Sequence, residues 1–263
     1  MLTSRAVDWV RVLVALPFGL VFGSFLTVVI HRVPAGESIV RPRSRCPSCG
    51  TEIRNRDNVP VLSWLLLRGR CHACGARISV VYPLTELATG ALFVAVALRY
   101  EEVWAAVLLA PFAGVLVALA VIDARTKKLP NRIVYPSLAV AAVYLVVVRV
   151  AAGGPDLVSA AVGFLAYGGG LLLVAFISPR GMGMGDVKLA ALIGLVLGSL
   201  ALKFVAVAAA VGILLGGVVA LGALIAGFGR KQALPFGPFL AAGAIVAVFF
   251  GPQISDLYLN LLT

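Results

Sequence analysis

Residues 103–123 read Val103-Trp-Ala-Ala-Val-Leu-Leu-Ala-Pro-Phe-Ala-Gly-Val-Leu-Val-Ala-Leu-Ala-Val-Ile-Asp123, an uncharged run that ends on an acid. A helix rises 1.5 Å per residue, so about twenty such residues match a hydrocarbon core of roughly 30 Å. In that solvent the backbone must satisfy its own hydrogen bonds, which a helix does. Similar runs occupy 10–30, 83–98, 133–150, 157–177, 187–202, 204–226 and 236–251. Those at 83–98 and 187–202 are short, and 187–202 would merge with 204–226 but for a break near Lys203. With 61% hydrophobic residues in 263 and a mean hydropathy of +1.05, the chain carries more apolar surface than a soluble domain can hide. The expectation is an all-α polytopic membrane protein with about eight transmembrane helices and one long loop.

A net charge of +11 would suggest nucleic acid in a soluble protein. Here the cations cluster in loops, which reads as membrane topology, and no nucleic-acid partner is expected. If 31–82 is cytoplasmic, that side holds its nine arginines together with Arg125, Lys127, Lys128, Arg132, Arg180, Lys188, Arg230 and Lys231. The opposite side keeps Arg5, Arg11, Arg99, Arg149 and Lys203. By the positive-inside rule both termini then face outward. The first apolar run continues to Ile30 with no small-x-small cleavage site, so it reads as a retained span. Three parts follow: a first span (1–31), a cytoplasmic loop domain (32–82) and a transmembrane core (83–263).

The loop holds all four cysteines, as Cys46-Pro-Ser-Cys49-Gly and Cys71-His-Ala-Cys74-Gly. Two C-x-x-C-G knuckles match a four-thiolate zinc site. Disulfides and free thiols are the alternatives, and a reducing cytoplasm disfavours the first. An arginine-rich loop of this size builds little core, and a structural Zn2+ contributes on the order of 10–16 kcal/mol to such folds. A closed shell of four thiolates leaves no position for catalytic water. His72, between two ligands, reads as solvent-facing, and His31 as an interface residue.

Acids are scarce, so Asp123 at the end of one span and Asp186 at the start of another are functional candidates. The orientation above puts both at the cytoplasmic boundary, at similar depth. Two carboxylates 4 Å apart at an effective dielectric near 20 repel by about 4 kcal/mol, so one tends to keep a proton. The charged one can activate water while the protonated one polarises a carbonyl, which is aspartyl peptidase chemistry. A proton or cation relay is the competing use. The dipole at a span's start favours an anion, which casts Asp186 as the base and Asp123 as the proton carrier. Gly183 and Gly185 would let a peptide backbone approach the acid. Lys188 either tunes the pair or snorkels to the interface. Gly194-x-x-x-Gly198 and Gly212-x-x-x-Gly216 fit close helix packing, although 28 glycines make such pairs common.

The order of these elements resembles the prepilin leader peptidases, the membrane aspartyl peptidases of type IV pilus and type II secretion systems. Gly23-Ser-Phe-Leu-Thr27-Val-Val-Ile-His31-Arg32 resembles the family's opening span, followed by the paired knuckles. Pro60-Val-Leu-Ser-Trp64, Leu67-Arg-Gly69-Arg-Cys71 and Tyr82-Pro-Leu-Thr-Glu86-Leu87 come next. Asp123 then precedes Leu129-Pro-Asn131, Gly183-Met-Gly185-Asp186-Val-Lys188 matches the GxGDxK signature, and Pro235-Phe-Gly-Pro-Phe239 opens the last span. The family commonly has Asn where Thr27 stands. The resemblance implies a bacterial inner-membrane enzyme with Asp123 and Asp186 as the catalytic pair. Its substrate would be a prepilin or pseudopilin, cut after the glycine that ends a short basic leader. Membrane lipid is the other implied partner. Members with the cysteine-bearing loop typically also methylate the new amino terminus from S-adenosylmethionine. Gly69 and Glu86 are the candidates for supporting that transfer. Peptidase activity without methylation and a proton-coupled transporter are the alternatives.

Overall fold

The computed structural model describes residues 2–178, 182–226 and 235–260. Arg180, Arg230 and Lys231, which entered the charge reading, lie outside the described residues. The described residues contain helices and two isolated β-bridges. Two compact units can be distinguished: residues 1–101 with 110–118, and residues 102–109 with 119–263.

The first unit opens with helix α1 (Leu2–Arg32). A loop follows, with a short helix α2 (Leu62–Leu66), before α3 (Val81–Arg99) returns along α1. In lipid the drive for helix pairing is close packing rather than burial from water. The sequence supplies it at Gly23, where a Cβ would lie 2.8 Å from the Cα of Glu86. Phe22 and Phe93 fill the next layer, their ring centroids 5.6 Å apart. Between the helices the loop forms two near-identical turns. The bridges Arg45–Glu52 and Arg70–Arg77 close them, and each ends on a glycine with left-handed backbone, Gly50 (φ +72°) and Gly75 (φ +71°).

Helix α4 (Val103–Thr126) contributes residues to both units. It ends where Lys127 adopts a left-handed conformation (φ +54°) and donates its amide to the Asp123 carbonyl at 2.7 Å. Pro130 cannot continue a helix ladder and caps the next one, α5 (Asn131–Ala152). Then come α6 (Leu157–Gly163), a π-helical turn (Phe164–Gly168), α7 (Gly169–Ile177), α8 (Met184–Gly198), α9 (Leu202–Ile225) and α10 (Gly237–Asn260).

Helix α8 is the core of the second unit. Leu189, Ala190, Leu192, Ile193, Val196 and Leu197 are at most 1% exposed, and α5, α6, α7, α9 and α10 all touch it. A helix so enclosed is apolar all round, as its sequence is. A Cβ on Gly194 would overlap the Gly163 carbonyl, so this glycine does set a close helix contact. Seven described helices are long and apolar enough to cross a membrane. The run read as a short span at 187–202 is α8, whose 15 residues rise about 22 Å, so it is a short apolar helix enclosed by the others rather than a full-length one facing roughly 30 Å of hydrocarbon.

Candidate functional site

Asp123 sits three residues before the end of α4 and is only 4% exposed. Burying a carboxyl without a partner costs several kcal/mol, on the order of 2–7. Its partner comes from far along the chain: the Gly237 amide donates to Asp123 Oδ2 at 2.9 Å. Gly237 is the first residue of α10, where amide hydrogens have no partner within the helix. A Cβ at 237 would stand 2.7 Å from Oδ2 and 3.1 Å from Cγ, so the carboxylate occupies the space of the missing side chain.

Asp186 is the third residue of α8, half-buried, with Gly183 as N-cap. Its own amide donates to the Gly183 carbonyl at 3.0 Å. A Cβ at 183 would lie 3.0 Å from Asp186 Oδ2. Burial bears most on the Asp186 carboxyl and the Asp123 charge bears on it next, which sets the two acids near each other. Such a pair holds one negative charge more readily than two.

The structure changes one expectation. Viewed along α4 alone, Asp123 lies at the anion-repelling end of a helix. Its carboxylate, however, caps the N-terminus of α10. Asp123 therefore meets a helix N-terminus just as Asp186 does at the start of α8, and the dipole does not separate a base from a proton carrier.

The remaining expected residues frame the pair. The space beside Gly185 is filled by Leu129, whose Cβ would lie 2.9 Å from a Cβ at 185. Lys188 Nζ donates to Asn131 Oδ1 at 3.0 Å and lies 5.0 Å from the centre of the Tyr135 ring. The turn after Asp123 is thereby held against the helix that carries Asp186. Gly237, Leu129 and Tyr135 were not assigned roles by their sequence. Gly237 acts through its backbone, which leaves no chemical signature beyond being a glycine in a Pro-Phe-Gly-Pro-Phe stretch.

In the first unit, the four cysteine sulfurs lie within 4.8 Å of one another, and none is in a disulfide. Cys46 Sγ and Cys74 Sγ are 3.8 Å apart. A tetrahedral zinc with Zn–S bonds of about 2.3 Å has sulfur–sulfur edges of about 3.8 Å, so the residues fit the ion. The thiols cannot all lose protons freely. Hydrogen bonding from the Thr51 hydroxyl, then its amide, brings Cys49 down to about 6. The backbone amides of Cys74 and Ala73 lower Cys71. The Ala76 amide pulls Cys74 down too, but hydrogen bonding to Cys49, loss of solvent and the other thiols push it up to about 11. A dication resolves this conflict by neutralising the last thiolates to form. His72, between two of the cysteines, is exposed.

Glu86, 7% exposed on α3, accepts the Val61 amide on Oε2 at 2.7 Å. Val61 has φ +61°, a conformation that a β-branched residue adopts only under constraint. Gly69 also needs its left-handed backbone (φ +65°), and a Cβ there would lie 2.9 Å from the Trp64 ring. Both residues thus shape the polypeptide next to the knuckles.

Residues 17–100 match a family described as the bacterial peptidase A24 N-terminal domain, and residues 110–250 match the type IV leader peptidase family. A Bacillus subtilis (strain 168) protein named prepilin leader peptidase/N-methyltransferase is 37% identical, over 93% of this chain and 96% of that protein. A Dichelobacter nodosus protein of the same name is 36% identical over 92% of each. A Myxococcus xanthus (strain DK1622) protein of that name reaches 46% over 57% of this chain and 44% of its own length. No solved structure matches the chain.

Proposed function

The chain belongs to the type IV leader peptidase family, and from that premise we propose that it cuts the leader from prepilin-like proteins with Asp123 and Asp186 as its catalytic pair. The observation that carries this reading is that the chain just after Asp123 packs on the helix that carries Asp186, Leu129 beside Gly185 and Asn131 on Lys188, while the Gly237 amide holds the Asp123 carboxylate. With Asp123 Oδ2 engaged by Gly237, Oδ1 is the oxygen that works. One ionised carboxylate takes a proton from water as the water oxygen bonds to the scissile carbonyl carbon. The protonated partner gives its proton to the carbonyl oxygen. The tetrahedral intermediate then collapses: the departing amine takes the proton that the base gained, a hydroxyl of the intermediate returns its proton to the other carboxylate as the carbon–nitrogen bond breaks, and the pair again shares one. Gly183, Gly185 and Lys188 support the pair by geometry, as cap, packing surface and clamp.

The substrate would be a basic leader ending in glycine, followed by an apolar helix and cleaved at the cytoplasmic boundary of the bacterial inner membrane. The distribution of Lys and Arg supports that orientation, and with α8 counted as a short eighth crossing both termini would lie outside. Cys46, Cys49, Cys71 and Cys74 would hold a structural Zn2+, since a four-sulfur shell is closed to water. The relatives' shared name supports a second activity, N-methylation of the new terminus. S-adenosylmethionine would supply the methyl group, with Gly69 and Glu86 acting by shaping the Val61 turn and the knuckle. A proton relay through Glu86 is disfavoured, because its carboxylate is engaged by Val61.

The test is incubation of the purified chain with a synthetic prepilin and methyl donor, read by mass spectrometry for leader loss and a methyl increment. Asp123→Asn and Asp186→Asn should each cut leader removal by about 10²–10⁴-fold, the usual worth of an acid–base group. Normal processing by either variant would remove the pair from the chemistry. Leader loss without the methyl increment would leave a peptidase alone.

A further inference from the structure

At the loop end of α1 the first unit contains a second pocket, of about 180 Å³, that the proteolytic reading does not use. One wall is Phe25 and Val28 of α1; the other is loop residues Ile39, Val40, Ile53, Asn55 and Asn58, with Arg32 and Arg43 between. The lining contains two arginines, asparagines and apolar groups, but no acid. Arg32 donates one nitrogen to the Ser38 and Pro42 carbonyls, at 3.0 and 2.8 Å. Arg43 donates one to Asn55 Oδ1 at 2.6 Å. Neither guanidinium is ion-paired among the described residues. Each of these five-donor groups keeps nitrogens for an anion.

Two further features place a lipid tail beside that charge. Val14, Phe18, Val21 and Phe25 are 53%, 68%, 62% and 46% exposed, and their three- and four-residue spacing makes one apolar stripe along α1 into the pocket. The loop facing it presents Ile39 and Val40, the latter 76% exposed, next to Arg41 and Arg43. Apolar residues set among arginines at a helix end suit the boundary between acyl chains and headgroups.

We propose that this pocket binds the phosphate of an anionic glycerophospholipid in the leaflet at this end of α1. Arg32 and Arg43 hold the phosphate, Asn55 and Asn58 face the polar headgroup, and an acyl chain lies along Phe25, Val21 and Phe18. The volume sets a limit on the occupant. Pockets for drug-sized molecules run from about 300 Å³, so 180 Å³ suits a headgroup and is too small for a whole nucleoside-bearing methyl donor.

The experiment is native mass spectrometry of the purified full chain, delipidated in detergent and titrated with phosphatidylglycerol, phosphatidylcholine or inorganic phosphate. Wild type should retain one tightly held phosphatidylglycerol, preferred over phosphatidylcholine. Arg43→Gln should weaken that retention about fivefold, the worth of one surface cation near an anionic headgroup. Val40→Glu, an exposed position whose change leaves packing intact, should weaken it by at least as much. Arg77→Gln, which removes a loop cation outside the pocket lining, should stay within about twofold. Zinc content and circular dichroism of each variant check the fold. Wild-type retention by both Arg43→Gln and Val40→Glu would overturn the proposal, as would equal retention of phosphatidylcholine. Displacement by inorganic phosphate would make it a free-anion site, and competition by S-adenosylmethionine a cofactor site; either result refutes the lipid assignment.

Discussion

Gly237→Ala tests the geometry of the acid pair without touching an acid. The added Cβ would stand 2.7 Å from Asp123 Oδ2, whereas ordinary contact begins near 3.4 Å. The carboxylate must therefore retreat by about 0.7 Å, and a misplacement of about 1 Å at a reacting group costs on the order of 10²-fold. The retreat also strains the amide hydrogen bond, and a bond to a charged group is worth about 1.5–3 kcal/mol, or roughly ten- to a hundredfold. The loss should fall on kcat, because substrate binding away from the acids is untouched. Helix propensity works the other way, since alanine is favoured over glycine by about 0.5–1 kcal/mol, so a general loss of folding is not the expected cause. The control is Gly217→Ala on α9, where a Cβ would meet nothing within 4 Å. The assay is steady-state cleavage of a fluorogenic prepilin peptide, with zinc content and melting temperature measured in parallel. If Gly237→Ala cleaves within about threefold of Gly217→Ala, far from the hundredfold loss expected, the Gly237 contact does not set the working position of Asp123.

Three further outcomes are expected. Zinc affinity, measured by competition with a chromophoric chelator, should fall at least about tenfold per pH unit below pH 8, because the ion must displace the proton of Cys74, raised to about 11, and protons win that competition as pH drops; a flat profile would exclude a four-thiolate site. Lys188→Met and Asn131→Ala should each lower kcat/KM, and the double variant should lose less than the two combined, by a coupling of about 1 kcal/mol, because both break one clamp; additive losses would dissolve it. Glu86→Ala leaves the Val61 amide buried without its acceptor, at a cost of about 1–3 kcal/mol, and should lower the melting temperature and impair methylation. Glu86→Gln keeps an acceptor and should preserve both, with leader removal intact in either variant; equal loss of methylation in the two would mean the charge itself is used.

The spans were legible because a bilayer writes them in composition: the run read at 157–177 is the candidate span Leu157–Ile177. The cysteine cluster was legible because metal ligands are local in sequence. Helix α8 was legible as a short apolar helix but not as an enclosed one, since a helix enclosed by protein and one immersed in lipid are equally apolar. Its 15 residues end at Gly198, where the sequence continues without a break into apolar residues. The π-helical turn at Phe164–Gly168 left no mark, because its origin is packing against α8 rather than local propensity.

The acids were conspicuous, but what holds them was not. An aspartate in an apolar chain draws notice by its cost, whereas the group that offsets that cost here is a backbone amide 114 residues away. Such a partner carries no side chain to read. Its one trace is negative, a position where any larger residue would collide with Oδ2. Backbone amides suit this task because they stabilise a charge without titrating. In the proposed pair a shared proton would then be the one that moves with pH, and lysine or arginine in the same place would favour both acids as anions. An acid pair meant to hold one proton is better served by glycines at helix starts than by cations, and Lys188 accordingly points to Asn131 and Tyr135.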